Sequence, residues 1–222
     1  MFLKKVIDYI DDRILFSIKE FHRKQYEKLY FKKLRKRLKI TEFSLFSPNC
    51  YAGKLYHRLG LQFQSPTINL LFPIKKQYLK FLSNLEYYLS KDLHFIDDPE
   101  YDVPVAMLED IKLVFVHYRT QEEAEISWNK RKTRVNYDKL LFIFDDICDI
   151  EYSDILEFCN LKCAGKVILT AKKYDDIPCA VQIKKYSKTG ELKPYLMDVN
   201  SWTGKNAADK YFDFVSWINN CV

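Results

Sequence analysis

Leu140-Leu141-Phe142-Ile143-Phe144 is an uninterrupted apolar run that stops at two aspartates, Asp145 and Asp146. Further mainly apolar runs stand at 43–46, 68–72, 103–108, 111–116, 166–170 and 181–183. A continuous run of four to six apolar residues with no polar alternation is the pattern of a strand covered on both faces. Between the runs the period changes. Residues 75–90 place Tyr78, Phe81, Leu82, Leu85 and Leu89 on one helical face. Residues 52–59 read as a helix stopped by Gly60. Thr120-Gln121-Glu122-Glu123 is a capping box opening a helix to about Arg134, and 153–159 and 206–219 complete the helical set. Short buried strands alternating with helices predict an α/β fold, a largely buried sheet flanked by helices, over residues 41–222.

The first 40 residues differ. They contain 13 Lys/Arg against 5 Asp/Glu, while the whole chain of 222 residues carries a net charge of +6. The body is therefore near neutral, and the basicity belongs to an N-terminal helical arm ending in Lys32-Lys33-Leu34-Arg35-Lys36-Arg37. Such a helix is either the solvated face of a peripheral element or a surface for an anionic membrane. Nucleic acid is not expected as a partner, because the body does not continue the basic patch.

Several function classes have no support. With five glycines the chain has no G-x-G-x-x-G and no G-x-x-x-x-G-K, so glycine-rich phosphate loops are absent. Six cysteines stand at 50, 148, 159, 163, 179 and 221 without a second pair to complete a zinc pattern, and no metal site or cofactor is assigned. No segment reads as a signal peptide, and no apolar run approaches the length of about 18 that spans a membrane. The expected setting is the cytoplasm, with free thiols, peripheral to the inner membrane face if the arm binds there.

In open α/β sheets, ligands bind outside the carboxyl ends of strands. Three polar clusters follow apolar runs: Ser47-Pro48-Asn49-Cys50, His117-Tyr118 and Asp145-Asp146. Cys50 at a helix start has the placement of an activated thiol, with His117 as base and one of the two aspartates as orienting group. The bland alternative makes Asn49 a helix cap and Cys50 a small buried residue. Asp145 or Asp146 is also a possible Mg²⁺ ligand beside a donor diphosphate. On the helix before residue 134, Ala124, Trp128 and Arg131 share a face, with Arg134 and Asn136 beyond. Arginine forks match phosphate oxygens and Trp stacks on rings, so this stretch is read either as anion or sugar recognition or as structural ion pairing.

These motifs, in order, resemble the DUF1919 family, bacterial proteins often labelled exopolysaccharide or capsule biosynthesis proteins. The resemblance rests on Ser47-Pro48-Asn49-Cys50, Tyr56, Leu59-Gly60, Ser65-Pro66, Lys80-Phe81-Leu82, Pro104-Val105 and Asp110-Ile111. It continues through His117-Tyr118, Glu123-Ala124, Trp128, Arg131, Arg134 and Val135-Asn136, and covers roughly 43–170. Pro48 stands where the family usually has Asn, and Tyr51-Ala52-Gly53 where an aromatic and two glycines are common. The resemblance implies an α/β fold and a role in surface-glycan assembly.

The expected activity is a transferase placing a sugar, acyl or phosphoglycerol group from an activated donor onto a glycan acceptor. In it, His117 and Cys50 are catalytic, and Ser47, Asn49, Ser65, Tyr118, Trp128, Arg131, Arg134, Asn136 and Asp145 bind substrate. Cysteine-dependent acyl transfer or hydrolysis through Cys50 and His117, and non-catalytic glycan binding, are the alternatives. Asn49, Cys50, His117-Tyr118 and the Trp128–Arg131–Asn136 stretch are expected to share one cleft.

Overall fold

The structure, a computed structural model, describes residues 2–147, 150–192 and 198–222, with side chains placed from residue 14 onward. The chain is α/β, as its alternating pattern predicts, but its strands form two sheets. Strands β1 (Ser44–Phe46), β5 (Leu140–Asp145), β6 (Gly165–Thr170) and β7 (Ala180–Gln182) form a parallel sheet in the order β1-β5-β6-β7. Strands β2 (His94–Ile96), β3 (Val105–Leu108) and β4 (Ile111–Val114) form a separate antiparallel sheet.

Alternation along the parallel strands separates two cores. Phe46, Phe142, Phe144 and Ile168 point to one face; Leu45, Leu141, Ile143, Val167 and Leu169 point to the other. The first face is covered by α3 (Lys75–Ser83), α4 (Leu85–Ser90), α5 (Gln121–Lys132), α6 (Tyr152–Asn160) and the antiparallel sheet. The second is covered by α2 (Tyr51–Leu59) and α7 (Phe214–Cys221), with α1 (Phe2–Arg37) outside them. Residues 75–90, expected as one helix, break at Asn84, whose φ of −131° and ψ of 44° are not helical.

The basic N-terminal helix is a single rod of 36 residues, and its second half belongs to the body. Leu34 is buried in the second core. Arg35 donates to the Arg58 and His57 carbonyls at the end of α2. Arg37 pairs with Asp213 at the start of α7. Further up, the His22 ring bonds the Trp202 carbonyl at 2.9 Å, and Gly204 lies so close to α1 that a Cβ there would collide with the Glu27 carboxylate. The left-handed φ of 66° at Gly204 suits glycine for the same turn. Along the same helix Ile14, Ile18, Phe21 and Leu29 are exposed. They fall within an arc of about 80° at about 100° per residue, so the helix carries an uncovered apolar stripe.

Candidate functional site at the carboxyl edge of the parallel sheet

The chain leaves β1 towards α2, on one face of the sheet, and leaves β5 towards α6, on the other. Neighbouring parallel strands whose exits diverge leave a crevice between their carboxyl ends. Asn49 and Asp145 meet there, while Asp146 turns towards β6.

The sequence makes this turn with side chains. Cys50 occupies the cap position of α2 but supplies no cap. Asn49 Oδ1 accepts from the Tyr51 amide at 3.0 Å, and Ser47 Oγ accepts from the Ala52 amide at 3.0 Å. The first donors of α2 are thereby satisfied from before the helix. The other end of the Asn49 amide reaches across to β5, where Nδ2 donates to Asp145 Oδ2 at 2.8 Å. Lys75, at the first turn of α3, brings its Nζ within 2.6 Å of Asp145 Oδ1. Three separate segments are thus joined on one fully buried carboxylate. Lys75 escaped notice in the sequence because nothing local marks a lone lysine whose partner lies 70 residues away.

Asp146 is different. Its Oδ2 accepts from the Ala171 amide at 3.0 Å, while its Oδ1 is buried with no hydrogen-bond partner among the described residues. Burial, with the charge of Asp145 beside it, pushes its carboxyl up to about 6. A carboxylate left half-satisfied at a sheet edge, with a proton affinity near neutrality, has the properties of a general base.

The remaining expected site residues sit elsewhere. Cys50 is partly buried, its Sγ 3.9 Å from the Leu70 carbonyl, and burial pushes its thiol up rather than down. The activated-thiolate expectation is corrected by this: loss of hydration outweighs the helix start and the nearby Lys54. His117 follows β4 in an exposed turn, and β4 belongs to the antiparallel sheet, so His117 is not at a carboxyl end of the parallel one. Among the described residues no hydrogen bond joins it to Cys50 or to either aspartate.

The expected anion grip is corrected too. Arg131 Nη1 donates to the Ile68 carbonyl at 3.2 Å and to the Tyr118 hydroxyl, and its guanidinium lies over the Phe63 ring. Tyr118 Oη also donates to the Ile68 carbonyl. Arg134 Nη1 donates to the Phe63 carbonyl at 3.2 Å. These side chains pin the irregular segment 61–71 in place of a strand ladder. Trp128 is buried against Phe115 and offers no face for stacking. Ser65 is buried on Thr67. Asn136 accepts from the Asp138 amide through Oδ1 and donates from its backbone to Ser44 Oγ. That last bond places Asn136 at the amino end of β1. β5 then separates it from Asp145 by about 17 Å at about 3.3 Å per residue. One cleft does not hold all these groups, because they sit at opposite ends of the sheet.

A divalent cation fits poorly, because both Asp145 oxygens are already engaged by a lysine and an amide. Among the described residues there is no cluster of three or more His, Cys, Asp or Glu suited to a metal. Nor is any described helix long and apolar enough to cross a membrane.

Comparison with known proteins extends the match beyond the central blocks. An uncharacterized protein of Haemophilus influenzae is 31% identical over 187 residues, covering 84% of this chain and 89% of the relative. The profile of the family described as "Domain of unknown function (DUF1919)" matches residues 18–219, taking in the docked half of α1 and most of α7. The chain belongs to the DUF1919 family.

Proposed function

We propose that the protein is a transferase of surface-polysaccharide assembly, with Asp146 as its general base. The observation that carries this reading is the buried, unpaired Asp146 oxygen just past the carboxyl end of β5, on the side facing β6, where Ala171 holds its other oxygen. The substrate class comes from the family resemblance; the chemistry comes from Asp146. In the step, Asp146 Oδ1 takes the proton of an acceptor hydroxyl. The freed oxygen pair bonds the electrophilic carbon of the activated donor, an anomeric or acyl carbon, and the donor's leaving group departs with the bonding pair. Asn49, Lys75 and Asp145 act as positioning residues: they fix the β1 and β5 exits around the base.

The same reading places the protein against an anionic membrane surface. The stripe Ile14–Ile18–Phe21–Leu29 would enter the interface, and the lysines and arginines beside it would meet lipid headgroups.

Removal of the protein from its bacterium, with complementation, tests the reading. Surface glycan composition should change on deletion and return with the wild-type chain. It should not return with Asp146→Asn accumulated to the same level. An unchanged glycan in the deletion strain, or full rescue by Asp146→Asn, refutes it.

A further inference from the structure

A cleft of about 620 Å³ lies between the docked half of α1 and the segment 205–215, away from the carboxyl edge of the sheet. Its size falls in the range of small-molecule sites, roughly 300–1,000 Å³. Its floor is closed. Arg58 Nη1 donates to both oxygens of Asp209 at 2.8 Å each, and Tyr51 Oη donates to the same carboxylate. Arg37 is spent on Asp213.

The walls are not closed in this way. Lys33, Lys205 and Lys210 line the cleft and make no ion pair among the described residues. Lys205 Nζ stands 4.6 Å above the Tyr30 ring and 5.5 Å from that of Tyr26, and these two rings stack at 6.1 Å. Burial keeps the Tyr30 phenol protonated up to about 12, so its hydroxyl remains a donor. Leu29 and Phe212 add apolar wall. Three lysines without an ion-pair partner thus line a space whose other sides are aromatic and aliphatic, the Lys210 ammonium lying 5.6 Å from the Tyr211 ring centre. This combination recognises a phosphorylated end joined to a planar or apolar body.

We propose that this cleft binds an organic phosphate or diphosphate, with its phosphate on Lys33, Lys205 and Lys210 and its body on Tyr26, Tyr30 and Leu29. The site is separate from Asp146 and does not rest on the role given to that residue. Leu29 belongs both to the cleft wall and to the exposed stripe of α1. A ligand here therefore reaches either from solution, as a nucleotide, or from the membrane, as an isoprenoid phosphate.

Titration calorimetry of the full chain with UDP, geranyl diphosphate and inorganic pyrophosphate tests the proposal. At least one of the two organic diphosphates should bind, and excess pyrophosphate should compete with it. Stronger binding of UDP identifies the soluble source, and stronger binding of geranyl diphosphate the membrane source. Lys33→Glu and Lys210→Glu, both at exposed positions, should each weaken binding by about tenfold or more, since each loses a charge-assisted contact. Asp146→Asn should bind as the wild type does. Failure of both organic diphosphates to bind overturns the proposal. So does binding that ignores both charge reversals, or binding lost in Asp146→Asn.

Discussion

Lys75→Met leaves Asp145 as a buried charge without its cation. The two side chains are 10% and 0% exposed, and their charged atoms are 2.6 Å apart. Methionine fills most of the lysine volume, so cavity terms are small and the electrostatic loss dominates. Removing one partner of a buried pair costs about 3–5 kcal/mol, where an exposed pair is worth about 1 kcal/mol or less. In a domain of this size each kcal/mol moves Tm by about 2–4 °C, so the variant should melt about 6–20 °C below wild type. Scanning calorimetry with parallel urea titrations reads this directly. The companion is Lys75→Met with Asp145→Asn. It removes the stranded charge and keeps a group able to face Asn49, so it should recover more than half of the loss. A Lys75→Met variant within about 1 kcal/mol of wild type would mean that the pair behaves as a surface contact. The account of three segments held on Asp145 would then be wrong.

Asp146 gives a pH dependence with a definite sign. Its folded value of about 6 lies above the unfolded value of about 3.9, so the folded chain binds the extra proton. The associated stability is full below about pH 4 and lost as pH rises through about 6. Asp146→Asn should lack that decline in denaturant titrations across this window, and transfer by the wild type should rise through pH about 6 as the base ionises. Cys50 should alkylate with iodoacetamide no faster than an ordinary thiol at neutral pH, and Cys50→Ser should keep activity; rapid labelling and an inactive variant would restore it as a nucleophile. Replacing Ile14, Ile18 and Phe21 together by Glu should leave a folded body that no longer sediments with anionic vesicles. Truncation before residue 41 should unfold it, because Leu34 leaves the core, and circular dichroism separates the two outcomes.

The elements that the sequence revealed were those whose pattern is local. The runs ending at Phe46, Phe144 and Thr170 became the parallel sheet because a doubly covered strand has no polar alternation to disguise it. Thr120 caps α5 through the Glu123 amide as its motif implies, although the Glu123 side chain bonds the Arg119 amide instead of that of Thr120. The break at Asn84 stayed hidden because the apolar face continues across it: Phe81, Leu82, Leu85 and Leu89 are all buried. Strand β2 carries no local signal, since it has three residues and its register is set by β3 and not by its own sequence. At the site, Asn49 and Asp145 were legible as polar residues after strands, but their bond spans 96 positions. Arg131 and Arg134 misled for a physical reason: a guanidinium satisfies a loop carbonyl as readily as a phosphate, and composition does not tell the two apart.

The docking of α1 on α7 also sets an order in time. Arg37 meets Asp213, and Asn219 bonds the backbone at both Arg37 and Lys39, across separations of 176 to 182 residues. At about 5–20 residues per second, the ribosome needs roughly 10–40 s after completing α1 to deliver these partners. Throughout that interval α2 can cover part of Leu34, but the part of the surface that α7 contributes does not yet exist. A nascent chain in this state offers two adjoining apolar faces and a dense positive charge to whatever lies near the tunnel exit. The second core therefore closes only when the last helix of the chain arrives, whatever has been made before it.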